Sequence, residues 1–372
     1  MGKLHKSSTP LIHTPSLVTG QEALSDRQRE ILRLIIQQYV LTANPVGSRN
    51  LARISSLGLS DASTRNIMSD LEFLGFIDHP HTSAGRMPTD KGYRVYVNEL
   101  MALEKLSEAE RKAVSRSLID VLSAEDVIKE STEILAKLSK QLSLVLLPAL
   151  EEGMLERVEI VPLASNRVLI VLITSSGRVR TVTLETDTHI DHSKIDELRS
   201  ILNERLSGRS FKEIRATFTE RVQDLPQHAK DVLRVFLDSP ERLFEDNDRV
   251  KLSGAKHIFS QPEFQKKNII SDDEFQSIIE LLDNEDVVIH VLERAAGKPA
   301  GAMPATESVA IRIGSELEDE KMTNYSVIST RYKIGDQQGV IGLIGPKRMN
   351  YARMAPLVEY VARAMTNALT SK

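Results

Sequence analysis

The sequence predicts an α+β chain of several domains: a helical N-terminal domain closed by a small hairpin, then an α/β domain interrupted by an insert. Three observations lead there. Residues 21–100 alternate helix caps with apolar stripes at helical spacing, broken once by two short strand-like runs. Runs rich in Val, Ile and Thr occupy 157–185 and return at 307–345. These two strand groups flank a mostly helical stretch from about 207 to 265. A length of 372 residues suits two or three domains of ordinary size.

Ser25-Asp26-Arg27-Gln28 has the form of a capping box, and the helix it opens sets Ile31, Leu34, Ile35 and Tyr39 on one face. Asn44-Pro45 stops that helix. Ser48 is placed to cap a short second helix with Leu51 and Ile54 inward, and Gly58 turns the chain. Ser60 caps a third helix with Ile67, Met68, Leu71 and Leu74 on its apolar side. Arg65, Asn66 and Ser69 lie opposite, near its start. Gly75 ends it, and Phe76-Ile77 and Arg86-Met87-Pro88 read as two strands around the polar tip HPHTSAG. Thr89 then caps a fourth helix carrying Tyr93, Tyr96, Val97 and Leu100. Three helices followed by a hairpin make a winged helix-turn-helix, which admits a helix to the major groove of DNA. The segment between the third and fourth helices is longer than the two to eight residues that join helices in a bundle.

Residues 101–141 read as a helical connector, with a second cap at Ser123. Strands follow at 157–164 and 167–185, turned by Ser175-Ser176-Gly177, then a helix from about 193 to 206. Strand character returns at 307–314 and 324–345, with a turn at Gly335-Asp336. The last helix carries Leu357, Val358, Val361, Met365 and Leu369. The expected division is an extension over 1–20, the DNA-binding domain over 21–103, the α/β domain with its connector over 104–206 and 266–372, and the insert over 207–265.

Composition is that of a globular protein, 41% apolar and 27% charged. Cysteine is absent, which excludes disulfides, thiolate metal sites and cysteine nucleophiles and suits a reducing, cytoplasmic setting. The longest apolar run, 142–150, falls short of the roughly 20 residues of a membrane span. The first twenty residues have no apolar signal core and read as a flexible extension, in which Lys3 and Lys6 are a loose tail. Net charge is −4, and residues 21–100 hold nine Lys and Arg against nine Asp and Glu. A basic surface must therefore come from arrangement.

Enzyme readings fail on the residues. The string His81-Thr82-Ser83-Ala84-Gly85 lacks the first glycine of a nucleophile elbow and sits in a hairpin. Gly339, Gly342 and Gly345 are spaced along a strand with no GKS or GKT, and no HExxH occurs. His290 reads as a satisfied core histidine in an apolar helix. Asn324-Tyr325-Ser326 fits a glycosylation sequon without any secretion signal. No cofactor is expected.

The segments LSDRQREILRLIIQQYV, NPVGSRNLAR, PHTSAGRMPTDKGYRVYVNEL, LSGAKHIFSQPEF and IGPKRMNYARMAPLVEYVA, in that order, resemble the HrcA family of bacterial heat-inducible transcription repressors. The resemblance covers nearly the whole chain after residue 20. It implies a winged-helix domain, a GAF-like α/β domain and a dimerisation domain inserted into the latter. It also implies a homodimer on an inverted-repeat operator called CIRCE upstream of chaperone genes, with the chaperonin GroEL as partner. The chain departs from the family pattern in SDASTRN at the start of the third helix, in Ile67 where an acidic residue is usual, and in IGSEL at 313–317. A repressor released by a metabolite bound in the GAF-like domain is the alternative, and a scaffold without DNA function a third class.

For DNA, the exposed start of the third helix offers Ser63, Arg65, Asn66 and Ser69. Arginine grips guanine O6 and N7, and asparagine grips adenine N6 and N7, each pair giving about 1–3 kcal/mol of discrimination. The wing and its flank offer His79, His81, Ser83, Arg86, Lys91 and Arg94 for phosphates or a minor groove. His79 and His81 are wing polar groups and not metal ligands on this reading. For the dimer, Val232, Leu233, Val235, Phe236 and Leu237 in the insert are interface candidates or the insert's own core.

Overall fold

The computed structural model describes residues 24–79, 85–164, 167–185, 195–225, 249–261, 284–295 and 308–370. The N-terminal extension, the DNA-contact candidates His81 and Ser83, and the apolar candidates at 232–237 lie outside them.

Helix α1 (Asp26–Thr42) begins at the expected box, with the Ser25 amide donating to Gln28 Oε1 at 2.9 Å, and ends at Ala43 in the left-handed region. Helices α2 (Ser48–Ile54) and α3 (Asp61–Phe73) follow. Leu51, Met68 and Leu71 join Ile31, Leu32, Ile35 and Ile36 of α1 in one core. Two local expectations fail. Gly47, not Ser48, holds the cap position of α2, because the Ser48 hydroxyl donates to the Asp61 carboxylate, a charged and stronger acceptor. Ile54 is 40% exposed, since a helix of seven residues turns only Leu51 fully inward.

The wing pairs β1 (Ile77–Asp78) with β2 (Met87–Pro88), Ile77 opposite Pro88. Its base gains a third partner, as Arg86 and Val46 exchange backbone bonds of 2.8 and 2.9 Å. Thr89 caps α4 (Asp90–Val95), accepting from the Gly92 amide at 3.2 Å. The expected long fourth helix stops at Val95, and Tyr96–Leu100 widens into a π-helical turn that still buries Tyr96 and Val97.

The main α/β domain is a five-stranded antiparallel sheet in the order β7 (Val250–Ser253), β3 (Leu142–Leu146), β10 (Gln337–Pro346), β9 (Tyr325–Ile334), β8 (Val309–Ile313). On one face lie α5 (Glu108–Ile119), α6 (Ala124–Ser139) and α11 (Tyr351–Thr370); on the other lie α9 (Ala255–Phe259) and α10 (Glu285–Ala295). Alternation along β3 shows both: Val145 packs with Leu357 and Val361, while Leu144 and Leu146 pack with Val288 and Leu292. His290 corrects the sequence reading, because it sits between inward-facing Val288 and Val291 and is exposed.

The first strand group does not join this sheet. Strands β4 (Leu155–Ala164), β5 (Arg167–Thr174) and β6 (Val179–Glu185) form a separate three-stranded sheet. Helices α7 (Ile195–Leu206) and α8 (Phe211–Val222) cover it, and Val158, Ile170, Leu202 and Phe218 share its core. The division by sheets thus begins near Leu150 and not at 207, and β7 returns the chain to the main sheet before 265. Strand periodicity reports which residues share a face, not which strand pairs with which; that is why the grouping escaped the sequence reading.

Candidate nucleic-acid interface

The start of α3 is built by its cap. Ser60 Oγ accepts from the Ser63 amide at 3.1 Å and bonds the Ser63 hydroxyl at 3.0 Å. Thr64 turns inward, fully buried, with its hydroxyl donating to the Ser60 carbonyl at 3.0 Å. That fixes the roll of the helix. Ser63, Arg65, Asn66 and Ser69 are consequently all exposed on one outer strip, as expected. The Arg65 side chain is 72% exposed, and its nearest acid, Asp61, stands 3.9 Å away. Such a pair holds the guanidinium weakly and leaves it available to a stronger acceptor.

Helix α2 contributes what the sequence reading missed. Arg49, Asn50 and Arg53 are exposed, and the two arginines are one turn apart on the helix whose start is bonded to the start of α3 through Ser48 and Asp61. Among the described residues neither arginine has an acidic partner. The signal was legible: two arginines at i and i+4 in a helix, SRNLARI, that contains no acid.

The wing differs. The Arg86 guanidinium binds Glu72 through Nε and Nη2, both at 2.8 Å, and is 25% exposed. The other Glu72 oxygen meets His79 Nδ1 at 2.5 Å. Glu72, Asp78 and His79 place three possible ligand atoms within 4.8 Å of one another, but the Arg86 charge already on Glu72 opposes a cation there. Lys91 donates to the Leu74 carbonyl at 2.8 Å, completing the end of α3, with its ammonium 4.4 Å from the centre of the Phe76 ring.

Arg94, expected on the DNA-facing flank, faces the main sheet domain. Its Nε donates to Glu316 at 2.7 Å and Nη2 to the Ile311 carbonyl at 2.8 Å, and the side chain is 18% exposed. Its place on α4, one turn after Asp90, turns it inward with Asp90, which is bonded to Lys347 and Ser315. Among the described residues, Arg49 and Arg53 of α2 and Arg65 of α3 are exposed near the joined starts of these two helices, whereas the wing Arg86 is held by Glu72.

The comparisons with known proteins follow the same division. Residues 23–101 match a family described as winged helix-turn-helix transcription repressor, HrcA DNA-binding, and residues 125–355 match the HrcA protein C terminal domain. A heat-inducible transcription repressor HrcA from Chlorobium phaeobacteroides (strain BS1) is 37% identical over 357 residues, 93% of this chain and 99% of that protein. One from Chlorobaculum tepidum is 37% identical over 360 residues, covering 93% and 98%. Among solved structures, a hypothetical protein at 2.2 Å resolution is 25% identical with a TM-score of 0.64, covering 94% of this chain and 99% of that one.

Proposed function

The chain belongs to the HrcA family of heat-inducible transcription repressors, and we propose that it reads an inverted-repeat CIRCE operator as a two-fold homodimer. It is a DNA-binding repressor and not an enzyme. The observation that carries the operator reading is the outer strip of α3, where Arg65 and Asn66 stand exposed beside Arg49 and Arg53 of α2. On this reading Arg65 and Asn66 take base edges, Ser63 and Ser69 support them, and Arg49 and Arg53, on one face of α2, take phosphates along one edge of the groove. His79, Arg86 and Lys91, with the sequence candidates His81 and Ser83, are the proposed wing and flank contacts that add to the positioning of α3 on the duplex. A single winged domain buries roughly 600–1,000 Å² on DNA, and a dimer doubles this while fixing the half-site separation.

The separate sheet supports a dimer through the insert. Its outer face exposes Val161, Leu163 and Val179, at 43%, 52% and 57%, an apolar surface of the kind a partner covers. We accordingly place the inserted unit between Leu150 and Val250, and regard the main sheet with its helices as the GAF-like domain. GroEL is the proposed partner: it keeps a marginally stable repressor folded, and heat-damaged proteins divert it. A change of 1–2 kcal/mol in stability is enough to change the active population several-fold. The proposed setting is the cytoplasm, where a repressor meets its operator. Separately, no helix among the described residues is long and apolar enough to cross a membrane.

The test is binding of full-length protein to an inverted-repeat duplex and to a scrambled one, with and without chaperonin. Tight binding to the repeat alone, raised by chaperonin, is expected. Equal binding to both duplexes overturns the operator assignment. One observation favours the second reading, in which a metabolite sets release. A cleft of about 440 Å³ between the start of α6 and the β5–β6 turn is lined by Glu125, Ile128, Arg178, Val179, Arg180 and Lys251, a size and a cationic excess suited to a small anionic ligand. Native mass spectrometry of the purified protein decides it: a stoichiometric bound compound supports the metabolite, and bare chain supports the chaperonin.

A further inference from the structure

Helix α4 faces two ways. Toward the DNA-binding side, Gly92 packs on the Phe76 carbonyl so closely that a Cβ would lie 2.1 Å from the oxygen. The Thr89 hydroxyl donates to the Gly75 carbonyl at 2.7 Å and the Thr89 amide to the Phe76 carbonyl at 3.1 Å. These contacts tie α4 to the end of α3. Toward the main sheet, Asp90 and Arg94 reach residues more than two hundred positions away. Lys347 Nζ lies 2.7 Å from Asp90 Oδ1, and the Ser315 amide and hydroxyl both donate to Asp90 Oδ2 at 3.0 Å. Arg94 binds Glu316 through two nitrogens and the Ile311 carbonyl through one. Gly314 has φ of 53°, and a Cβ there would fall 2.3 Å from the Asp90 carboxylate, so the approach requires glycine.

We propose that Asp90 and Arg94 are positioning residues that set the half-site separation the repressor accepts. They clamp α4 to Ser315, Glu316 and Lys347, and so fix the angle at which α3 is presented to DNA. The proposal rests on the two-fold operator reading above. A dimer selects a half-site spacing only if its two recognition helices hold a fixed separation, near a whole number of helical turns. The winged domain reaches the rest of the chain through one extended crossing over 101–107, which on its own would act as a hinge. The four clamp side chains are 18–27% exposed, so their charges lie partly out of water and their geometry is held more firmly than that of surface pairs. The Tyr93 ring meets Tyr351 edge-on at 5.9 Å and closes the same joint from its apolar side.

The experiment uses full-length protein and duplexes with the two half-sites moved apart or together one base pair at a time, plus a single half-site. Lys347→Glu sets a like charge against Asp90, Asp90→Asn removes the charge with little change of shape, and Lys347→Arg is the conservative control. The unaltered protein is expected to prefer one spacing by about tenfold, and Lys347→Glu to reduce this to about threefold or less. Asp90→Asn falls between, Lys347→Arg keeps the preference, and single-site affinity and salt slope stay as they were in all three. Retention of the full preference by both Lys347→Glu and Asp90→Asn overturns the inference alone. Lack of any preference in the unaltered protein overturns the two-fold reading and the inference together. Should Lys347→Glu fail to fold, Asp90→Asn decides. The cysteine-free chain allows a second readout: spin labels at Asp70→Cys on α3 and Arg363→Cys on α11, in labelled protein diluted into unlabelled. The distance distribution broadens in Asp90→Asn if the clamp positions α3, and an unchanged width contradicts it.

Discussion

The winged-helix domain and the three-stranded unit both attach to the same five-stranded sheet, and they do so by opposite means. Ile31, Leu71, Tyr93 and Val97 of the winged domain belong to one continuous apolar core with Tyr351, Leu357, Ile328 and Leu343 of the sheet domain. Around that core stand the Asp90 and Arg94 bonds, Asn350 on Glu104 at 3.1 Å and Arg353 on Glu110 at 2.6 Å. The three-stranded unit keeps its own core. It meets the sheet domain through Arg178 on the Pro148 carbonyl at 3.0 Å and longer bonds of 3.4 Å joining Gln337 to Ser176 and Ala149. Clefts of about 510 and 440 Å³ lie along this seam. A shared apolar core makes two domains one cooperative body, whereas a polar seam leaves each able to unfold by itself. Helix α3 therefore belongs to the larger cooperative body, and the unit proposed to form the dimer is the one that unfolds separately.

The largest expected effects break this comparison directly. Tyr351→Ala opens the joint between the winged domain and the sheet and should cost about 3–5 kcal/mol, lowering a calorimetric transition that both domains share. Phe211→Ala should cost a similar amount, about 3–5 kcal/mol, but only in a second transition belonging to the three-stranded unit. If both variants move a single common transition, the seam is firmer than its contacts suggest. Next in size, Arg65→Ala should weaken binding to the inverted repeat by about 1–3 kcal/mol and leave both transitions unmoved. Ser60→Ala removes the side-chain cap at the start of α3 and should cost about 1 kcal/mol in the shared transition. Arg49→Ala and Arg53→Ala should each reduce the salt slope of binding by about 1 and weaken specific and scrambled duplexes alike, in a salt titration of both.

The smallest effect is on pH. Hydrogen bonds from Ser107 and Arg353 hold the Glu110 carboxyl down at about 2, against an ordinary 4.5. Burial alone would raise Asp90, but the Lys347 and Ser315 hydrogen bonds and the Lys347 charge outweigh it and leave it below its ordinary 3.8. Both groups have lowered native values, so their contribution is fully present above the unfolded values and is lost as pH falls through the native ones. The shared transition should therefore be indifferent to these groups above about pH 5 and drop below about pH 4.5, with a smaller drop in Glu110→Gln, measured by thermal unfolding across that range.

Much of this was legible in the sequence, because helix caps are local. Ser25, Ser60, Thr89 and Ser123 each announce a helix within three or four residues, and each caps as expected. What escaped was decided at long range. Ser48 chose Asp61 over its own helix. Arg94 looks like any exposed arginine until Glu316 is brought to it across 222 positions. The run RVLIVLIT of the small sheet is as continuously apolar as the strand at 337–346 of the large one, so pattern could not sort the strands into two sheets. The exposure of Ser63, Arg65, Asn66 and Ser69 was legible because a position opposite an apolar stripe follows from helical period alone.

The most direct test of one body carrying α3 is hydrogen exchange of the unbound, full-length protein in low denaturant. Amides of α1, α3 and the wing base should open together with those of α11 and β9, at one free energy, while amides of β5, α7 and α8 open at another. If α1 and α3 exchange ahead of α11 and β9 while the three-stranded unit exchanges with the sheet, the winged domain is the mobile part, and the account is contradicted.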